Sequence, residues 1–501
     1  MIHVTRRSFL AAGGAIPLAA WLEQRGFAQA ASMKVRYDAR STQGIDMLKV
    51  YAAAVNKMKD PAQIPTGDPR SWIFQWYTHF VNDATTKAAE IQRIYPNAGD
   101  PNRAVAEAMW NTCQAHSPGD NEDFFLPWHR CFVYFFEQII AYVSGRDDFT
   151  LPYWNYSTAD QSIRGVIPPQ FTMQNDPVFG SLFDGLRNPG VNQGRPIQSG
   201  LPGDPLSLAA LADTTYSPSG ASGGFNQDLD SGLHSYVHVL VGGPNNMGNV
   251  PTAAQDPIFW MHHCNIDRLW ASWNAAGRTN PPLSQTFTFA DRNGKPVVVD
   301  IADYLDIGKL GYTYDRFEPV PGAVPQRLLA AAATSQQQVV ASSPQGITLG
   351  ATATQVTLAP APAALNAAAL TVPAQVASVA PEKKVYLVAS QLSAKAQPGV
   401  LYSTYLDLPA NPTPQQLDDH FVGTINFFGI AHSGDGHGQP AAHAGGVNAK
   451  SKFVSFEVTG KVRALGKNRF LKDQPVLSII PEGQPAAAAQ PVIGKIELVV
   501  Q

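Results

Sequence analysis

The segment HSYVH places His234 and His238 four positions apart, on one face of a helix, where both imidazoles can reach a single ion. Further along, HHCNID at residues 262–267 offers a third ring from a facing helix. Adjacent helical positions point about 100° apart, so His262 and His263 do not readily serve one ion together. His79, His116 and His129 fall in three neighbouring elements and form a second set of three. Three imidazoles without a carboxylate or thiolate suit copper or zinc. The absence of HExxH and of a cysteine cluster argues against the common zinc hydrolase arrangements. Two such triads in one unit point to a paired metal centre.

The elements that must carry these rings read as mostly helical up to about residue 150. GIDMLKVYAAAVNKMKD has apolar positions at helix period and stops before Pro61. FFLPWHRCFVYFFEQIIAYVSG carries His129; its Pro127 suits a first helical turn and its Gly145 a stop. Residues 155–232, rich in Gly, Pro, Asn and Ser, read as long loops, and two further helical pieces near 233–241 and 256–274 carry the other triad. Bundles commonly build metal sites from facing helices. The expected architecture is therefore multi-domain: a mainly α-helical catalytic domain over residues 31–320, with a four-helix bundle around a binuclear site. Residues 321–344, rich in Ala, Gln and Ser, read as a linker. Residues 345–501, with short runs such as KKVYLVASQL and VIGKIELVVQ, read as an all-β sandwich.

FFLPWHRCFVYFFE and DPIFWMHHCNIDRLW strongly resemble the two copper-binding signatures of the type 3 copper family, the tyrosinases and polyphenol oxidases. Asp256, Pro257, Phe259, Trp260, His263 and Asp267 fall on the second signature. That register makes His263 the ligand and His262 its neighbour. VGGPNNMGNVPTAAQDPIFW, FTFADRNGKPVVVDIADYLD, GYTYDRF and FVGTINFF resemble plant polyphenol oxidase, so the likeness runs over most of residues 35–501. It implies two copper ions: CuA on His79, His116 and His129, and CuB on His234, His238 and His263. It also implies that Phe259 packs against the centre, with Phe125 placed likewise before His129. Tyr312 and Tyr314 look like the tyrosine motif that closes the catalytic domain near an arginine, here Arg36, where a cation–π contact fits. His116 and His129 lie thirteen apart, wider than is usual in the family, with SPGDNED as the insert. Cys113 is placed for a thioether to His116, whereas Cys131 and Cys264 read as core packing.

The activity implied is ortho-hydroxylation of monophenols and oxidation of o-diphenols to o-quinones with O2. Val250, thirteen before His263, stands where plant catechol oxidases place a blocking phenylalanine; a small gate there favours a tyrosinase. Asp230 and Ser235 stand where the family uses an acid and an amide to hold a water that takes the phenol proton. Asp230 also suits a helix N-terminus. The C-terminal domain is expected to cover the copper mouth as a lid, holding the enzyme latent, and to insert one of Phe427, Phe428, Tyr402 or Tyr405. His432, His437 and His443 read as part of a solvated loop. The alternatives are a catechol or o-aminophenol oxidase without monophenolase activity, and a non-catalytic O2-binding protein on the same centre.

Composition sets the outer bounds. With 44% hydrophobic residues in 501, the chain can bury a large core, and a net charge of -3 supplies no basic face for nucleic acid. Three cysteines make no disulfide framework. TRRSFLAAGGAIPLAA followed by AQA reads, over residues 1–30, as a twin-arginine signal peptide, so a periplasmic or secreted protein is expected. No later segment reads as a membrane span. The expected partners are small phenols and O2; a copper-loading partner and an oligomer are compatible with this reading.

Overall fold

A computed structural model describes residues 33–114, 122–322, 337–361, 372–377, 379–380, 383–430, 453–468 and 471–501. The expectations for the export signal, His116, its thioether to Cys113, and the loop histidines His432, His437 and His443 lie outside the described residues.

The helical half is organised around Phe125–Ser144 and Ile258–Ala275, which pack against each other, with Thr42–Lys59 packed on Phe125–Ser144. Ile258–Ala275 is buried without a break from Ile258 to Trp273, which makes it the central rod of the domain. Local signals set the ends of the others. Ser41 and Ser71 accept from the amides of Gly44 and Phe74, capping Thr42–Lys59 and Trp72–His79. Phe125–Ser144 stops at Gly145, whose φ of 71° is left-handed. It starts two residues before Pro127, because a short 3-10 turn at Glu122–Phe124 feeds directly into it. The aromatic content of this core is high, and Phe136 stacks on Trp260 between the two main helices at 3.4 Å and 11°.

The stretch 155–232 is loop-rich as expected, but its end is not loop. Gly224–Leu229 is helical and runs on into a π-helical segment, Asp230–His234, before Ser235–Val241. Gly232 inside that segment has non-helical angles, φ -97° and ψ -112°. Arg187 secures the loop region by a two-pronged pair with Asp256, at 2.8 and 2.7 Å, with both side chains fully buried.

The domain is closed by a parallel pair of strands, Lys34–Arg36 with Tyr312–Tyr314. The C-terminal half holds two sheets. One has four strands in the order Phe421–Ile425, Tyr402–Leu406, Val476–Pro481, Thr354–Thr357. The other has six, with Val385–Ser393 and Val492–Val500 at its centre. Two expectations need correction here. The strand Gln338–Ser342 pairs with Val492–Val500, so the domain begins inside the stretch read as linker. The domain is also not all-β: Val372–Ala377, Pro414–His420 and Thr459–Lys467 are helices. Among the described residues, no helix is long and apolar enough to cross a membrane.

Candidate metal centre

Five of the six histidines singled out in the sequence lie in described residues, and all five converge. His79 ends the Trp72–His79 helix, and His129 sits one turn into Phe125–Ser144. His234 closes the π-helical segment, His238 lies in Ser235–Val241, and His263 in Ile258–Ala275. His234, His238, His262 and His263 each bring a ring nitrogen within 4.8 Å of the others; His79, His129 and Cys113 do the same with nitrogen and sulfur. The two groups touch: the His129 and His263 rings stack at 4.3 Å and 8°.

Hydrogen bonds at Nδ1 decide which nitrogen each ring turns inward. The carbonyls of Val250, Phe125 and Met247 lie 3.1, 2.8 and 2.8 Å from Nδ1 of His79, His129 and His238. A carbonyl accepts only, so these rings carry the proton on Nδ1 and present the Nε2 lone pair to the interior. For His234 the acceptor is the Asp230 carboxylate, 3.0 Å from Nδ1. Burial is the main cause that pushes His79 down to about 3 and holds His129, His238 and His263 well below the usual histidine range. His79, His129, His238 and His263 are therefore neutral and ready to ligate at neutral pH.

Whether these residues fit a metal can be tested on one distance. His238 Nε2 and His263 Nε2 lie 3.4 Å apart. Two nitrogens about 2.0–2.1 Å from one ion at a tetrahedral angle would be about 3.3–3.4 Å apart. The donor set fits a metal of the borderline, imidazole-binding kind.

His262 was set aside on register, yet its ring joins the second group. It stacks on His234 at 5.3 Å and 11°, its Nδ1 lies 3.1 Å from the Tyr156 hydroxyl, and its Nε2 has no partner among the described residues. Sequence reasoning also missed Tyr156 and the contact of Cys113 Sγ with His129 Nε2, at 3.6 Å. No sequence signal marks a tyrosine more than a hundred positions away. The Cys113 contact had one signal, its spacing from the neighbouring histidines.

The aromatic frame is as expected. Phe259 meets His79 edge-on at 4.9 Å and His263 at 4.3 Å, while Phe125 lies 4.6 Å from His234. Both side chains are fully buried and keep water from the imidazoles. The Asp230 carboxylate is turned onto its own helix's His234, and the Ser235 hydroxyl donates to the Asp230 carbonyl at 2.7 Å. Asp230 and His234 lie four positions apart, and the segment that carries them is π-helical, with Gly232 off helical angles.

The signature aspartates face away from the centre. Asp267 is a buried hub that accepts from Arg36, Arg130, Tyr312 and Tyr314 at 3.1, 2.5, 2.7 and 2.6 Å. Cys131 and Cys264 are buried free thiols, as expected, with Cys264 donating to the Leu151 carbonyl at 3.3 Å.

Over the mouth lies the C-terminal domain. Phe428 stacks on His238 at 4.3 Å and 16° and reaches within 5.9 Å of His234. It forms a small apolar cluster with Val239, Val250 and Leu401. Phe427 and Tyr402 pack instead in their own domain's core, and Tyr405 packs on Phe421.

Comparison with known proteins agrees with this geometry. Residues 69–195 and 206–276 match the common central domain of tyrosinase, and residues 282–323 match the polyphenol oxidase middle domain. A tyrosinase from Hahella sp. (strain CCB-MM4) is 29% identical over 486 residues, covering 90% of this chain and 96% of that one. The chain belongs to the tyrosinase and polyphenol oxidase family. These are oxidoreductases with a binuclear type 3 copper site, which the two histidine groups fit. Polyphenol oxidase C of Solanum lycopersicum is 28% identical over 309 residues, which is 53% of this chain and 44% of that one. The chain thus matches less than half the length of this plant member. The solved structure of latent apple tyrosinase superposes with a TM-score of 0.57 at 22% identity, covering 94% of this chain and 98% of that one. A functional unit of octopus hemocyanin gives 0.51 at 15%, covering 93% and 99%, so the fold is shared with it too. Residues 336–501 match a domain of unknown function, DUF7868.

Proposed function

We propose that this chain is a latent tyrosinase, which hydroxylates monophenols at the ortho position and oxidises o-diphenols to o-quinones with O2. His79, His116 and His129 would hold CuA; His234, His238 and His263 would hold CuB. When bound, the copper pair supplies the two-electron reduction of O2. The protein's own part is to keep the imidazoles neutral, oriented and dry. The carbonyls of Val250, Phe125 and Met247 and the Asp230 carboxylate fix the tautomers, and Phe125 and Phe259 wall off water.

The observation that carries the latency is Phe428, an aromatic ring lying flat on His238 where a phenol ring would lie. The reading of monophenols as substrates rests on Val250, whose small side chain leaves room beside the centre once Phe428 is withdrawn. Asp230 and Ser235 remain the residues proposed to hold the water that takes the phenol proton; the rival is a catechol or o-aminophenol oxidase without monophenolase activity. Assay of L-tyrosine against L-DOPA after proteolytic release of the C-terminal domain separates the two. Turnover of L-DOPA with none of tyrosine selects the rival, and reversible O2 binding without any quinone selects an oxygen carrier. The twin-arginine leader is part of the proposal; its test is loss of export when Arg6 and Arg7 are both replaced by lysine.

A further inference from the structure

The lid does more than cover the mouth at one contact. Asn426, 5% exposed, uses both ends of its amide at the seam between the domains. Its Nδ2 donates to the Ser231 carbonyl at 2.6 Å, and its Oδ1 accepts from the Phe428 amide at 3.0 Å. Ser231 belongs to the π-helical segment that ends at His234. In an α-helix the Ser235 amide would bond to the Ser231 carbonyl; here it is turned to the carbonyls of Asp230 and Gly232. A side chain of the C-terminal domain therefore supplies a donor to a carbonyl that the distortion has displaced. The same segment carries the contact of Asp230 with His234.

We infer that Asn426 is a positioning residue that holds the first CuB-side imidazole, His234, in its ligating orientation, so that lid seating and metal retention at that half-site are coupled. One amide joins the segment bearing Phe428, which covers the centre, to the segment bearing His234, which builds it. Coupling of this kind is reciprocal. A seated lid tightens the hold on one of the two ions, and the ion tightens the seat of the lid. The inference rests on the assignment of His234 to CuB proposed above.

The test uses the full-length copper-loaded chain and a strong copper chelator, following the loss of each of the two ions. Asn426→Asp keeps an acceptor for the Phe428 amide but removes the donor to Ser231. It is expected to release one ion about tenfold faster while the other leaves at the parental rate. Gln501→Ala is the control: it loosens the domain seam elsewhere, where Gln501 bonds Ala221 and Ser219, and is expected to leave the two loss rates unsplit. If Asn426→Asp loses both ions at parental rates, or both faster by the same factor, the residue is only a structural contact and the inference is overturned. Should that variant fail to fold, hydrogen exchange on the parent decides. Metal loading is expected to slow the Phe428 amide about tenfold, and an unchanged rate overturns the coupling. A parent chain that cannot retain two ions would instead bring down the assignment of the metal centre itself.

Discussion

The guanidinium of Arg36 lies flat over the Tyr312 ring, 3.8 Å from its centroid, while its nitrogens reach Glu137 and Asp267. The first strand of the domain is thereby bound to its last strand and to both main helices. Burial pushes the Asp267 carboxyl up, but Arg130 and Arg36 outweigh that and hold it below the usual carboxylate range. Asp267→Asn would leave two buried guanidiniums facing a neutral amide. It is expected to destabilise the protein by about 3–5 kcal/mol, read as a lower denaturation midpoint.

Phe428 should govern latency. Removing a buried aromatic side chain forfeits about 3 kcal/mol of burial and packing. Phe428→Ala is therefore expected to raise the diphenolase rate of the uncut protein at least about tenfold, with little change after proteolytic release of the lid. Equal rates for parent and variant before cutting would show that another group closes the mouth.

The desolvated histidines make the metal-free protein sensitive to acid. In the unfolded chain imidazoles take up protons below about pH 6.5; folded, His79 resists to about 3, and His129, His238 and His263 lie well below their usual range. The unfolded state therefore binds more protons as the pH falls, and stability present above about 6.5 is lost below it. The melting temperature of chelator-treated protein should drop steadily from pH 7 to pH 5. A flat profile would contradict neutral, water-free imidazoles.

Asp213 and Asp228 predict a dependence of opposite sign. Burial is the first cause that raises both; Asp213 is pushed up to about 6 and Asp228 well above the usual range beside it. A carboxyl raised in the folded state contributes stability that is full below about pH 3.9, its unfolded value, and is lost as the pH rises through about 6. Asp228→Asn removes the repulsion, so its melting temperature should exceed the parent's at pH 8 and lose that advantage by pH 4. Calorimetry across that range checks it.

Much of this was legible in the sequence, for physical reasons that can be named. Histidines at helical spacing mark a metal face, and the register of DPIFWMHHCNIDRLW selects His263 for the stack on His129. Arg36 beside Tyr312 was readable through the resemblance of GYTYDRF to the family's tyrosine motif, with which a cation–π contact agrees. The carbonyls that orient His79, His129 and His238 were not, since a backbone oxygen leaves no trace in residue type. The local partners of Asp230 and Ser235 were not legible either, because periodicity does not show the π-helical segment with Gly232 off helical angles. The strand Gln338–Ser342 hid in a composition typical of linkers. Phe427 and Phe428 are adjacent, and only the seam between the domains tells which one faces the histidines.

Lys34–Arg36 running beside Tyr312–Tyr314 has a mechanical consequence. Because Asp267 and His263 share the helix Ile258–Ala275, slack in this short ribbon would be passed along that helix towards the histidines.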